Sequence, residues 1–295
     1  MHNYVLSCGS TADLTPQHFA DRDISYICYP FELDGKPYRD DLGQTIPYDQ
    51  FYAAMAAGAE TKTAQINAYE FEEYFEPFLK DRKDVLHLCL SSGITGVINS
   101  ARMAKETLED KYPGRRIYLV DSLAASSGCG LLMDRLADLR DSGMDIGTLC
   151  EWTERNKLRV HHWFFSTDLS FYIKGGRISK TAGAVGSMLG ICPLLNVSAD
   201  GKLVPREKIR SKKRVIQAIV DKMEQYADGG TDYSGKCCLS HSGCYADARQ
   251  VADLVEARFP KLDGPAEINS IGTTIGCHTG PGTVALFFWG TARGD

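Results

Sequence analysis

Residues 85–101, VLHLCLSSGITGVINSA, decide how the rest of the chain is read. An apolar run over 85–90 gives way to Ser91, Ser92 and Gly93, then Thr95 and Gly96, and then to helical spacing. A buried strand that turns into a helix leaves the first helical N–H groups unpaired and aimed at the strand end. The positive end of the helix dipole lies there as well. The hydroxyls add donors, and the glycines let a ligand approach the backbone. Such a turn suits an anion; it also suits a plain helix start with serine as N-cap.

The pattern recurs on both sides. A short apolar strand over 4–7 runs into Cys8-Gly9-Ser10-Thr11-Ala12-Asp13-Leu14, after which Thr15 caps a helix with Pro16 at its first position. A strand over 116–121 ends in Asp121-Ser122, and Ser126-Ser127-Gly128 starts another helix. This alternation predicts an α/β fold, a mostly parallel sheet with helices on both faces. Residues 7–10, 91–93 and Ser122 then line its carboxyl edge, where such sheets bind ligands.

Elsewhere the sequence predicts a strand over 24–33 before a tight turn at Asp34-Gly35, and helices over 48–57, 68–80 and 145–157. A polar loop is expected over 60–67, and the aromatics of the 68–80 helix read as core. The strand over 159–167 places His161 and His162 at partly exposed positions. Lys174-Gly175-Gly176-Arg177 fixes one guanidinium, which either grips a carboxylate or phosphate with two donors or pairs with a nearby aspartate. Small apolar residues over 181–189 suit a helix with something packed on it, and a hairpin is expected around 199–201. The dense basic run over 207–214 leads into an amphipathic helix; it is either a solvated helix start or a docking patch for an acidic partner or membrane surface. Strands over 235–240, 267–271 and 284–289 and a helix over 245–259 complete the pattern. His278, flanked by glycines and followed by Gly280-Pro281-Gly282, can donate to an anion.

Composition narrows the function classes. The chain has 295 residues, 43% of them hydrophobic and 24% charged, as in ordinary globular proteins. With 33 basic and 38 acidic residues the formal charge is −5, which argues against nucleic acid as a partner. No 18-residue apolar run suggests a spanning helix, and residues 1–14 lack the pattern of a signal peptide. The 10 cysteines contain no Cys-x-x-Cys pair and fall mostly in apolar strings, which fits free thiols in a reducing cytoplasm. His241 and Cys244 have metal-like spacing with no second pair to complete a site, so neither metal nor cofactor is expected. No G-x-G-x-x-G follows a strand and no P-loop occurs.

Taken in order, Ser10-Thr11-Ala12-Asp13-Leu14, Lys62-Thr63-Ala64-Gln65, Leu90-Ser91-Ser92-Gly93-Ile94-Thr95-Gly96, Val120-Asp121-Ser122, Lys174-Gly175-Gly176-Arg177-Ile178, Lys208-Ile209-Arg210 and His278-Thr279-Gly280-Pro281-Gly282 closely resemble the DegV family of bacterial fatty-acid-binding proteins. The resemblance covers about residues 4–289. It implies a two-lobed DegV-like α/β fold, with an N-terminal lobe over 1–157 and a second, smaller α/β lobe over 158–295. It also implies a long-chain fatty acid in a tunnel between the lobes. By motif, Thr63 and the turn Ser91, Ser92 and Gly93 hold the carboxylate, His278 and Thr279 lie near it, and Arg177 matches the family's G-G-R loop. Several members of the family deliver the acid to a separate fatty acid kinase, which implies the same here; the basic run, with Lys208 and Arg210, is the candidate patch for docking that partner or for transient membrane contact. The chain departs from the family at Gly9, Ala64, Ile66 and Cys192, where aspartate, serine, proline and lysine are usual. The rival reading is a serine-dependent acyl hydrolase or transferase with Ser91 or Ser92 as nucleophile, His278 as base and Asp121 as orienter; against it, no G-x-S-x-G elbow is present. A phosphate-binding or phosphotransfer module is a further rival.

Overall fold

The computed structural model describes residues 2–179 and 190–294. The expected helix over 181–189 lies outside the described residues.

The four-stranded sheet is all parallel. It takes β1 (Tyr4–Gly9), β2 (Ile24–Ile27), β6 (Asp84–Cys89) and β7 (Ile117–Asp121) in the order β2-β1-β6-β7. Between β2 and β6 the chain builds a small antiparallel sheet from β3 (Pro30–Leu33), β4 (Lys36–Arg39) and β5 (Thr61–Thr63). The second large sheet has the order β10-β9-β8-β13-β11-β12. Its strands are β8 (Val160–Ser166), β9 (Ile191–Val197), β10 (Leu203–Arg210), β11 (Cys238–His241), β12 (Glu267–Ser270) and β13 (Thr283–Trp289). Only the pairing of β11 with β12 is parallel.

Period-two alternation distributes the side chains among cores. Val85 and Ile117 pack with Phe71, Phe75 and Ala104 under helices Ala68–Lys80 and Val97–Lys111. Leu86, Leu88 and Val120 face the opposite way, onto helix Ser126–Asp141. That helix is buried along most of its length, and the same core includes Phe164, Leu195 and Phe287 of the six-stranded sheet. Val284, Leu286 and Phe288 point to the far side, under helices Lys212–Tyr226 and Tyr245–Arg258. The result is a five-layer stack in which helix Ser126–Asp141, buried along most of its length, lies between two sheets.

Three expectations are corrected. The 24–33 strand divides between two sheets, because the N–H of Tyr29 donates to Ser10 Oγ (3.3 Å) and the chain bends there. The 60–67 loop contains β5, which exists only through its pairing with β3. His161 and His162 are both buried, because β8 is an inner strand covered on both faces. His161 stacks between Phe288 and Tyr226, each centroid 5.2 Å away.

Candidate functional site

A cavity of about 540 Å³ opens between the sheets. Leu90, Phe164, Val197, Leu203, Ala285 and Phe287 make much of its wall. Its volume is that of a small-molecule site. Polar groups converge on it from separate elements: Thr63 from β5, Arg177 from the loop after helix Ser170–Lys174, and His278 and Thr279 from helix Thr273–Thr279. His278 stands in the last turn of this short helix.

Thr63 Oγ1 and His278 Nε2 share a hydrogen bond of 2.8 Å. The ring is packed tightly on its other side, where a Cβ on Gly175 would stand 2.4 Å from Nδ1. Burial first, and the Arg177 charge second, hold His278 down to about 4, so the imidazole is neutral at physiological pH. Arg177 donates to the carbonyl of Gly175 (2.6 Å) and forms no ion pair among the described residues. Burial lowers its pKa. Among the described residues, Arg177 Nε, His278 Nδ1 and Thr279 Oγ1 are buried without a hydrogen-bond partner. Buried polar atoms are rarely left so, and such a cluster is suited to a polar ligand group.

The Ser91–Gly93 turn is placed differently from the expectation. Leu90, Ile94 and Thr95 line the cavity, but Ser91, Ser92 and Gly93 are not among its lining residues. Ser91 Oγ donates to the carbonyl of Gly201 (2.8 Å), and a Cβ on Gly93 would meet the Asp200 carbonyl oxygen at 2.5 Å. The turn thus joins the β6 end to the β9–β10 hairpin. It is no N-cap, since the helix begins after Gly96 without a side-chain cap. Asp121 Oδ1 accepts the N–H groups of Ser92 (3.0 Å) and Leu123 (3.2 Å), and the His278 ring bonds to Thr63. Ser92, His278 and Asp121 therefore do not form a hydrogen-bonded triad.

Lys208 and Arg210 are exposed on the edge strand β10, away from the cavity wall. Sequence reasoning gave no role to Ser126, His162, Phe171 or Tyr172, which line the cavity, nor to the buried Arg293. Arg293 donates to the carbonyls of Leu123 (2.8 Å), Val197 (3.0 Å) and Ser198 (3.0 Å), joining the turn after β7 to the hairpin that Ser91 also reaches. A lone arginine next to the chain end offers no pattern from which this could be read. Among the described residues no group of three or more His, Cys, Asp or Glu could hold a metal, and no helix is long and apolar enough to cross a membrane.

The sequence model described as "Uncharacterised protein, DegV family" matches residues 8–290. The chain belongs to the DegV family. A DegV domain-containing protein of Clostridium perfringens is 33% identical over 293 residues, covering 99% of each chain. Among solved structures, a DegV family protein from Thermus thermophilus described by its fatty acid binding superposes with a TM-score of 0.87, at 25% identity over 98% of this chain and 100% of that one. The Streptococcus pneumoniae Fatty Acid Kinase (Fak) B3 protein, loaded with linoleic acid, superposes with a TM-score of 0.83 at 21% identity, over 97% and 99% of the two chains. The DegV fold, with its parallel sheet and flanking helices, is therefore shared along the whole chain.

Proposed function

We propose that this DegV-family chain binds a long-chain fatty acid in the cavity between its sheets and presents it to a separate fatty acid kinase, without catalysing a reaction itself. The observation that supports this most is the apolar cavity of about 540 Å³ with Arg177 Nε, His278 Nδ1 and Thr279 Oγ1 buried and unpartnered beside it. An acyl tail fits the wall, and a carboxylate fits the donors. The fatty acids bound by the Thermus and Streptococcus relatives point the same way. In this reading Thr63, His278, Thr279 and Arg177 form the head-group end, and the Ser91-Ser92-Gly93 turn holds the wall next to it. Residues 1–157 and 158–295 act as two lobes closed on the acid. Lys208 and Arg210 dock the kinase or touch the membrane surface transiently, and the chain works in the cytoplasm of a bacterium.

Native mass spectrometry of the chain purified from a bacterial host tests the reading. A co-purified mass matching a long-chain fatty acid is expected; a polar phosphate ligand, or an empty chain that takes up no added fatty acid, overturns it.

A further inference from the structure

Two carboxylates meet where no cation answers them. Asp13 ends the short turn after β1 in a left-handed conformation (φ 50), and Asp40 follows β4. They are only 2% and 1% exposed, and neither forms an ion pair among the described residues. Both face the start of the helix that bears His278. Asp13 Oδ1 accepts the N–H of Gly272 (2.9 Å), and Asp40 Oδ2 accepts the N–H of Thr274 (3.1 Å). A Cβ on Gly272 would stand 2.8 Å from Asp13 and 3.1 Å from Asp40, so both acids close on one point of backbone. Two like charges buried this closely do not both ionise readily.

The surrounding donors say where the proton belongs. Ser126 Oγ has one proton and two neighbours, Asp13 Oδ2 at 2.5 Å and Ser240 Oγ at 3.0 Å. With a proton on Asp13, Ser126 is free to donate to Ser240. Ser240 then donates to Ser127 (2.7 Å), and Ser127 to the main-chain carbonyl of Asp13 (3.2 Å). Asp40 instead has, among the described residues, no hydroxyl chain to take a proton: its Oδ2 accepts the N–H of Thr274 at the start of the helix, a donor that favours an ionised acid against the cost of burial. Tyr48, Tyr52, Cys28, Cys129 and Cys277 are the other titratable groups acting on the pair, and burial keeps each of them neutral.

We propose that Asp13 and Asp40 are a positioning pair for His278: Asp40 ionised and Asp13 protonated, they hold the start of its helix with a single negative charge and so set the imidazole against Thr63. The consequence for ligand release rests on the fatty-acid reading; the proton assignment does not.

Infrared spectroscopy of the full chain at neutral pH is expected to show the carbonyl band of a buried protonated carboxylic acid, lost in Asp13→Asn. Absence of the band, or its survival in Asp13→Asn, overturns the proton assignment. Release of cis-parinaric acid, a fluorescent long-chain acid, is expected to be about tenfold faster in Asp40→Asn, the size of one lost charge-assisted hydrogen bond, and less affected in Asp13→Asn. In a His278→Ala background Asp40→Asn should add no more than about twofold, as expected for residues acting as one unit. Should the two effects multiply, the pair does not act through His278 and the proposal fails. If circular dichroism shows Asp40→Asn unfolded, Gly272→Ala, which displaces the helix start and keeps both acids, carries the same comparison with His278→Ala. A wild-type chain that takes up no cis-parinaric acid fails the fatty-acid reading and leaves the infrared result to decide the pair.

Discussion

Gly175→Ala tests the head-group geometry with one methyl group. Gly175 has φ −75 and ψ −10, a conformation alanine adopts without strain. The added Cβ would stand 2.4 Å from His278 Nδ1, where ordinary contact begins near 3.4 Å. The difference, 3.4 − 2.4 = 1.0 Å, is the shift the ring must make. It cannot make it freely, since Nε2 on its far edge is held 2.8 Å from Thr63 Oγ1. Overpacking of this kind costs about 1–3 kcal/mol. If the acid sits at Thr63 and His278, most of that cost appears in binding, so affinity for a fluorescent fatty acid should fall by about 5- to 150-fold. Gly176→Ala is the control: it lies at φ 72 with nothing within 4 Å of the new Cβ, so it strains the loop without pushing the ring. The measurements are ligand displacement, thermal melting and the imidazole NMR shifts of His278. Wild-type affinity and unchanged His278 shifts in Gly175→Ala would refute the packing argument. Equal losses in both variants would assign the effect to loop strain.

Thr63→Ala should keep the fold and most of the affinity: one hydrogen bond contributes about 1–2 kcal/mol, against about 12 kcal/mol gross for a sixteen-carbon tail at ~0.8 per methylene. Kinase-dependent acyl phosphate formation should slow, and a normal rate in Thr63→Ala would move the head group elsewhere. Burial holds His87 to about 3 and His161 and His278 to about 4, all below the ordinary 6.5. The unfolded chain then takes up protons that the folded chain refuses, so the stability these groups contribute is full above about 6.5 and is lost as pH falls toward 4. The raised pKa values of Asp13 and Asp40 act in the opposite direction at acid pH, so the melting difference between wild type and His278→Gln, followed across that window, isolates the imidazole. Arg293→Met strips three carbonyls of their donor and should destabilise the chain by about 3 kcal/mol, read by chemical denaturation; a loss under about 0.5 kcal/mol would mean that water replaces the guanidinium without cost.

Local chemistry made much of the fold legible. Helix Ala68–Lys80 has the bounds its pattern implies, because Asn67 and Glu70 form a capping box and Phe71, Phe75 and Leu79 mark one buried face. Helix Pro16–Asp21 starts at its Thr15 cap, and β6 reads as buried because both its faces are covered. What escaped depends on partners far along the chain. β5 is three polar residues that become a strand only against β3. The helix under His278 has a sequence that reads as loop, and two acids from the other end of the chain hold its start. The Ser91 hydroxyl looked free for a ligand, yet its partner is Gly201. Asp13 stands as an acid between apolar neighbours, a signal in the sequence that marks it as buried.

If the cavity holds a fatty acid as proposed, these distant partners also explain how an apolar cavity can choose an acid. On that reading the tail supplies nearly all the gross affinity and reads only length and shape. Selection has to come from the head group, and there the net charge matters most. His278 is neutral, and Arg177, whose charge adds to burial in lowering the His278 pKa, has no ion pair among the described residues. Burial lowers its pKa, so the buried charge carries a desolvation cost that a carboxylate placed beside it would offset. An alcohol, ester or amide of the same chain would fill the wall and leave Arg177 uncompensated. The expected order is a free acid well above its methyl ester, with the gap closing in Arg177→Met. A methyl ester that binds as tightly as the acid to the wild-type chain would show that Arg177 serves only to brace its own loop through the Gly175 carbonyl.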